Sequence, residues 1–445
     1  MLREFMSKFG VREFDVVRLV LRDGSELVGV VLPKPEVGDP NVMVVKLDNG
    51  YNVGIHISNI AKLEVQGHVE SPMASTVPIG KFVRSEPTGL PRVRLVATGG
   101  TIMSKVDYRT GAVYPSFSLE DLYTMYPEIK GIADLELLNL MAIFSEDMTP
   151  RRWSEMAEAV YKAFMEGVEG VVVLHGTDTM HYSAAAMSFA IRNPPGPVAF
   201  VGSQRSSDRP SSDAFENLLA AVLVAARAPF AGSVLVMHAG TSDGLIAVHR
   251  GTRVRKMHTS RRDTFISINS EPLAYVDINK LEIKMNTSDF RARGKPEDTT
   301  LMNKFDDKVA LVKFYPGMDP EILHFLIDRG YHGIVIEGTG FGHVRAELLD
   351  PIKRAIDSGI PVVITSQTIF GRVNLNVYRR GVELLRLGVI PGEDMIPEVA
   401  FVKLSWVLAQ TKDMNEVRRL MLTPIDHEIS PRSEVNTYIN KVSNT

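Results

Sequence analysis

From residue 92 onward, short apolar runs alternate with segments long enough to form helices. The apolar runs occupy residues 93–97, 171–174, 233–237, 333–336 and 361–364. A strand that is apolar at nearly every position must be covered on both faces, so this alternation predicts a buried parallel sheet with helices on both sides. Amphipathic helices are predicted over residues 179–191, 212–226 and 397–410.

The chain up to about Gln66 follows a different pattern, in which short strands are separated by tight turns. Strands are predicted over residues 16–21, 26–32, 42–47 and 51–57. Turn sequences lie between them at residues 23–24 and 48–50. The regular strand spacing indicates a small β-barrel or sandwich. The fold class predicted for the whole chain is therefore α/β, with two blocks of parallel sheet preceded by a small all-β, barrel-like domain.

Changes in composition along the chain predict its domain organisation. A stretch rich in proline, serine, threonine and glycine is typical of a linker. The predicted segments are a β-barrel-like domain at 1–70, a Pro-rich linker at 71–91, a large α/β domain at 92–285, a polar connection at 286–307, a smaller α/β domain at 308–422 and a polar tail at 423–445.

The composition excludes several classes of function. The chain has no cysteine, which removes disulfides, thiolate metal sites and cysteine nucleophiles. The 50 Lys and Arg residues are balanced by 53 Asp and Glu residues, so a general attraction to nucleic acid or to anionic membranes is not expected. The most apolar window, residues 218–237, is interrupted by Arg227 and Pro229. We therefore expect a cytoplasmic protein without a membrane span.

Glycine and threonine are concentrated where the apolar strands end. In open α/β sheets, ligands bind beyond the carboxyl ends of the strands. The same residue types are also common in ordinary strand-to-helix turns and helix caps, which is the alternative for each turn taken alone. The turn at residues 98–101 lacks the third glycine of a dinucleotide fingerprint and the Gly-Lys-Ser/Thr ending of a P-loop, so it gives little support for phosphate binding.

Several of these segments, taken together, resemble one known family. Residues 97–102 and 175–180 resemble the two signatures of the L-asparaginase/glutaminase family, in the same order. Residues 253–259 carry a lysine where that family has one, and residues 108–111 resemble its mobile-lid tyrosine segment. The resemblance covers about residues 92–422 and implies an asparaginase-like arrangement of the two α/β blocks.

The resemblance implies which residues are catalytic. Thr101 would attack the side-chain amide carbon and form an acyl-enzyme, and Tyr108 would orient or relay a proton from a closing loop. Thr177, Asp178 and Lys256 would form a second set of hydroxyl, carboxylate and amine groups. Asp178 would also hold the α-amino group of the substrate.

The resemblance also implies substrate-binding residues. Ser145 corresponds to a ligand of the substrate α-carboxylate, and Glu146 places a carboxylate where the α-amino group would bind. Gly100 and Gly176 would bind the substrate, and backbone N–H groups near Gly100 and Thr177 are candidate donors to the oxyanion. The alternative for Ser145 and Glu146 is an ordinary polar loop before a helix that starts at Pro150.

Three departures from a simple asparaginase favour a particular subfamily. They are the sequence at residues 144–148, the polar loop at residues 202–214 and the N-terminal β-domain. Together with residues 371–378 and 397–400, they resemble the GatD subfamily, which belongs to the archaeal glutamyl-tRNA(Gln) amidotransferases.

This resemblance implies hydrolysis of glutamine, with asparagine as a second possible donor. The ammonia would pass to a partner, the E-type subunit of the amidotransferase, which would bind Glu-tRNA(Gln) and amidate it with ATP and Mg²⁺. The chain itself would hold no cofactor or metal. It would form a homodimer within a heterotetramer.

Two other functions stay open at this point. The first is a free-standing L-asparaginase with an accessory β-domain. The second is a non-catalytic amino-acid sensor. The sensor is less favoured because Thr101, Tyr108, Thr177, Asp178 and Lys256 are all present.

Overall fold

The computed structural model describes most of the chain. The described residues are 2–33, 39–48, 51–69, 78–100, 102, 104–106, 113–115, 119, 122–123, 127–206 and 211–438. Two residues with predicted catalytic roles, Thr101 and Tyr108, lie outside the described residues.

The N-terminal region is a five-stranded antiparallel sheet, which confirms the predicted all-β region. Its strands are β1 (Asp15–Leu21), β2 (Glu26–Val31), β3 (Val42–Leu47), β4 (Asn52–His56) and β5 (Ile60–His68). They are ordered β4-β3-β2-β1-β5. Alternate residues of β1, Val17 and Leu19, are fully buried. A short helix that the sequence did not predict, α1 (Leu2–Lys8), precedes the sheet and buries Leu2.

The large α/β block contains the main sheet of the protein. Its strands are β6 (Phe82–Arg84), β7 (Arg92–Gly99), β8 (Ser104–Val106), β9 (Val113–Pro115), β10 (Asp134–Ile143), β11 (Gly170–Leu174), β12 (Ile191–Arg192), β13 (Pro197–Val201), β14 (Gly232–His238), β15 (Leu245–Arg250), β16 (Val254–Lys256), β17 (Phe265–Ser267), β18 (Ala274–Asp277) and β19 (Glu282–Met285). Its helices are α2 (Pro150–Met165), α3 (Met180–Ala190) and α4 (Ala214–Arg227).

The main sheet has nine strands in the order β19-β18-β15-β14-β13-β11-β7-β10-β6. The central strands β10, β7, β11, β13 and β14 are parallel, which agrees with the predicted parallel sheet, although β10 and β13 were not predicted as strands. The outer strands are antiparallel, which the sequence did not predict. The loop between β14 and β15 is too short for a crossover, so those two strands can pair only as a hairpin. Strand β6 lies within the segment that was predicted as a linker.

Helices cover both faces of this sheet because its strands are apolar on both sides. Side chains of β11 alternate between the two faces. Val171 and Val173 pack with α2 and α3, whereas Val172 and Leu174 pack with α4. This is the two-sided burial that the apolar runs predict.

The second block is a smaller parallel sheet. Its strands are β20 (Thr300–Leu301), β21 (Val309–Lys313), β22 (Gly333–Gly338), β23 (Val362–Ser366) and β24 (Ile390–Pro391). Its helices are α5 (Glu321–Asp328), α6 (Leu349–Asp357), α7 (Arg379–Leu387), α8 (Pro397–Gln410) and α9 (Met414–Leu422). The sheet order is β21-β22-β23-β24, and β20 pairs with β12 of the large block. Short 3₁₀ turns occur at Ile57–Asn59, Pro127–Gly131, Ser145–Asp147, Pro296–Asp298, Ala346–Leu348 and Val435–Thr437.

The two blocks share one hydrophobic core. Helix α8 packs against α3, and Trp406 stacks on Phe189 with ring centroids 6.0 Å apart. The described part of the polar tail is anchored at Glu428, which is fully buried and pairs with Lys403 at 2.5 Å. Among the described residues, every helix is too short or too polar to cross a lipid bilayer. The predicted domain boundaries and cytoplasmic location stay predictions.

Candidate active site

The carboxyl ends of the neighbouring strands β10, β7 and β11 bring three loops into contact. Gly99 ends β7 and Gly100 follows it, with φ angles of +118° and +88°, a region that favours glycine. A side chain at Gly99 would lie 2.1 Å from the Ile143 carbonyl oxygen, and one at Gly100 would lie 2.5 Å from the Gly176 nitrogen. The glycines therefore allow the three backbones to touch.

The predicted substrate-binding residues lie at this junction. Ser145 is buried in the turn after β10, and a side chain added at Gly176 would lie 2.8 Å from its Cβ atom. The Thr179 hydroxyl donates to the Ser145 carbonyl oxygen at 2.6 Å, which ties the loop after β11 to the loop after β10. Glu146 follows in the same turn and is exposed.

Lys256 connects this junction to the short hairpin of β16 and β17. Its Nζ atom donates to Thr177 Oγ1 at 2.9 Å and to Asp178 Oδ1 at 2.8 Å. The Lys256 side chain is 11% exposed and the Asp178 side chain is 67% exposed, so the cluster lies at the surface of the junction. The structure thus brings together three of the predicted catalytic residues, which are far apart in sequence.

These contacts determine which groups can donate a proton and which can bind a cationic group. The ammonium of Lys256 donates to the Thr177 hydroxyl oxygen, which leaves the hydroxyl proton of Thr177 available to a further acceptor. The exposed Asp178 carboxylate can accept hydrogen bonds from a bound cationic group. Thr101 follows Gly100 directly in the chain, and Thr101 and Tyr108 lie outside the described residues, so their places in the site stay predictions.

His175 supports the site and was not predicted as a functional residue. Its Nδ1 atom contacts the Gly176 carbonyl oxygen at 2.7 Å, so Nδ1 must be the donor, and its Nε2 atom contacts Ser183 Oγ at 2.9 Å. Burial lowers the pKa of His175 to about 4, which keeps the ring neutral at pH 7. Its position immediately before Gly176 was the available signal.

Glu398 lies in the segment 397–400 that was matched to the GatD subfamily, but no role at the site was predicted for it, because it belongs to the other α/β block. It accepts a hydrogen bond from Arg255 Nε at 2.7 Å, next to Lys256 in β16. Burial and the Glu398 carboxylate both raise the pKa of Tyr182 and of Glu337. Arg255, which precedes Lys256 in β16, thus pairs with a residue of the second α/β block.

Comparisons with known proteins agree with this architecture. Residues 92–289 match the N-terminal asparaginase family model, residues 308–421 match the glutaminase/asparaginase C-terminal domain, and residues 11–65 match the GatD N-terminal domain. Among solved structures, the thermostable L-asparaginase from Thermococcus kodakarensis superposes with a TM-score of 0.67 at 33% identity. That match covers 77% of this chain and 100% of the asparaginase.

Relatives with known names match nearly the whole chain. The GatD subunit of the glutamyl-tRNA(Gln) amidotransferase of Thermofilum pendens is 52% identical over 98% of this chain and 97% of its own length. The protein of the same name from Pyrococcus furiosus is 48% identical over 98% of this chain and 99% of its own length. The predicted resemblance and fold are confirmed, and the chain belongs to the GatD family of glutamyl-tRNA(Gln) amidotransferase subunits.

Proposed function

We propose that this chain hydrolyses glutamine and supplies the ammonia to a partner protein that converts Glu-tRNA(Gln) to Gln-tRNA(Gln). The observation that carries the proposal is the contact of Lys256 Nζ with Thr177 Oγ1 at 2.9 Å and Asp178 Oδ1 at 2.8 Å. The contact lies where the glycine-lined loops of three parallel strands meet, which is the expected ligand edge of such a sheet.

The proposed reaction has two steps. The Thr101 hydroxyl attacks the side-chain amide carbon of glutamine, and the nitrogen leaves as ammonia after gaining a proton. Water then attacks the resulting ester, which releases glutamate and restores the Thr101 hydroxyl. The assignment of Thr101 and Tyr108 rests on their motifs.

In this proposal, the described residues transfer protons, bind the substrate and stabilise the oxyanion. Lys256 and Thr177 relay protons between the amide nitrogen, water and the nucleophile. The Asp178 carboxylate and Glu146 bind the α-amino group, and Ser145 binds the α-carboxylate. Backbone N–H groups near Gly100 and Thr177 stabilise the oxyanion in this proposal, which the close approach of the two loops at Gly100 and Gly176 supports.

The N-terminal sheet favours this function over a free-standing L-asparaginase. An asparaginase needs only the two α/β blocks, whereas residues 11–65 form a further five-stranded unit with its own core. We propose that the partner is the E-type subunit of the amidotransferase, that ATP and Mg²⁺ bind there, and that this chain forms a homodimer within a heterotetramer. Asparagine is a second possible amide donor.

The test is glutamine hydrolysis by this chain alone, with the E-type partner, and with the E-type partner plus Glu-tRNA(Gln). We expect hydrolysis to rise strongly in the complete mixture and to be matched by Gln-tRNA(Gln) formation. Added ammonia should support amidation when Thr101→Ala abolishes hydrolysis. Rapid asparagine hydrolysis by the chain alone, unaffected by the partner and the charged tRNA, would favour the asparaginase instead.

A further inference from the structure

Three side chains with metal-binding atoms meet at the carboxyl end of β14, two strands away from β11 in the main sheet. His238 is the last residue of β14, Glu216 lies in the first turn of α4, and Asp243 lies in the loop that leads to β15. The ligand atoms of these three residues all lie within 4.8 Å of one another. His238 Nε2 is 3.3 Å from Glu216 Oε2 and 4.0 Å from Asp243 Oδ1.

The hydrogen bonds of Asn217 define the tautomer of His238. Asn217 Nδ2 donates to the Gly202 carbonyl oxygen at 3.1 Å and to Asp213 Oδ2 at 3.0 Å, so its other side-chain atom, Oδ1, is an acceptor. His238 Nδ1 lies 2.7 Å from that Oδ1 atom and must therefore carry a proton. In the neutral ring, Nε2 then carries the lone pair.

The Nε2 atom of this ring lies close to negative charge. The His238 side chain is 1% exposed, and among the residues that the structure describes Nε2 has no hydrogen-bond partner. A buried acceptor next to carboxylate oxygens is unfavourable unless a proton or a cation lies between them. Burial lowers the pKa of His238, although the neighbouring carboxylates oppose that shift.

We propose that Glu216, His238 and Asp243 bind a divalent transition-metal cation of the zinc type. One imidazole nitrogen with two carboxylate oxygens suits zinc, cobalt or manganese better than magnesium, which prefers oxygen ligands alone. The Nδ1–H bond to Asn217 is the outer hydrogen bond that a metal-binding histidine commonly makes. The cation would connect α4, the end of β14 and the 239–244 loop.

Arg262 already pairs with Asp243, so it would compete with a cation for that carboxylate. Its guanidinium contacts Asp243 Oδ1 and donates to the Ser211 carbonyl oxygen at 2.5 Å. Asp243 is 72% exposed, so its carboxylate can turn from the arginine to a cation without opening the core. Metal binding would therefore release Arg262 from Asp243, and removal of Arg262 should tighten metal binding.

The first experiment is calorimetric titration of zinc into the full-length, chelator-treated protein at neutral pH. We expect one zinc per chain. Asp243→Asn and His238→Asn should each weaken binding at least as much as the ~10–100-fold that loss of an outer partner costs. Asp328→Asn is the matched control, since Asp328 is also an exposed aspartate paired with an arginine, and it should bind zinc like the wild type.

The second experiment distinguishes a specific metal site from non-specific metal binding to surface carboxylates. Cobalt should give a visible absorption band that His238→Asn abolishes, and Arg262→Ala should increase the affinity for zinc. Magnesium should bind more weakly than zinc. The proposal is wrong if zinc does not bind stoichiometrically, if the Asp243 and Asp328 variants lose affinity equally, or if magnesium binds more tightly.

Discussion

Replacement of Lys256 by methionine tests the proposed catalytic cluster most directly. The substitution keeps the apolar stem but removes the ammonium that bonds Thr177 and Asp178 at 2.9 and 2.8 Å. Thr177 is 8% exposed, so bulk water is a poor substitute partner for its hydroxyl. Loss of one acid–base group typically lowers the rate ~10²–10⁴-fold. This corresponds to about 3–5 kcal/mol in the activation free energy.

The same substitution should lower stability only modestly. Asp178 is 67% exposed, so its carboxylate becomes hydrated when the lysine is removed. Thr177 loses a hydrogen-bond partner in a buried position, which costs roughly 1–3 kcal/mol. The loss of rate should therefore occur in a protein that still folds and has a somewhat lower melting temperature.

The assay is steady-state glutamine hydrolysis in the complex with the E-type partner and charged tRNA. We expect kcat to fall by the stated factor, while amidation from added ammonia continues. Lys284→Met on the edge strand β19 removes an exposed lysine and serves as the control. A folded Lys256→Met protein that keeps the wild-type kcat would refute the role of Lys256.

Three further predictions concern the architecture around the site. Gly100→Ala should lower both activity and melting temperature more than Gly317→Ala, because both glycines have positive φ but only the first would contact another backbone, at 2.5 Å. Lys403→Met leaves Glu428 buried without its partner and should cost about 3–5 kcal/mol in the free energy of unfolding, measured with urea. Burial lowers the pKa of His249 to about 3, below that of the unfolded chain, so its contribution to stability is full above about pH 6.5 and is lost as the pH falls. Urea unfolding at pH 7 and pH 5 should therefore show a smaller difference for His249→Gln than for the wild type.

The sequence predicted the elements whose burial follows from a local pattern. Helix α8 was predicted at its observed bounds, Pro397–Gln410, because a proline begins it and apolar residues continue through it. The strands β11 and β14 were predicted within a residue or two because they are apolar on both faces.

Strand β10 shows where the local pattern fails. It was not predicted, since Asp134, Glu136 and Asn139 interrupt its apolar residues. These polar residues are buried, and the structure pairs Glu136 with Arg94 at 2.5 Å and Asp134 with the Thr88 hydroxyl at 2.6 Å. This strand is stabilised by partners more than forty positions away in the sequence, which a local pattern of residues cannot reveal.

The candidate site was likewise predictable only in part from the sequence. The motifs predicted Thr177, Asp178 and Lys256 as a set, but their residue types could not give the direction in which Lys256 points. That direction depends on β16, which pairs with β17 only because the chain reverses over residues 257–264.

Strand β16 links the second α/β block to the candidate active site. Side chains alternate along a strand, so Arg255 points away from the side that carries Val254 and Lys256. Arg255 pairs with Glu398 of α8 at 2.7 Å, whereas Lys256 reaches Thr177. The Arg255–Glu398 pair therefore ties α8 to the strand that holds the lysine, even though Glu398 is not part of the proposed catalytic set. The Lys256–Thr177 contact is 2.9 Å long, so a displacement of about 1 Å would take the two atoms beyond hydrogen-bond distance. The interface between the two blocks therefore helps to hold the strand that carries Lys256 in place.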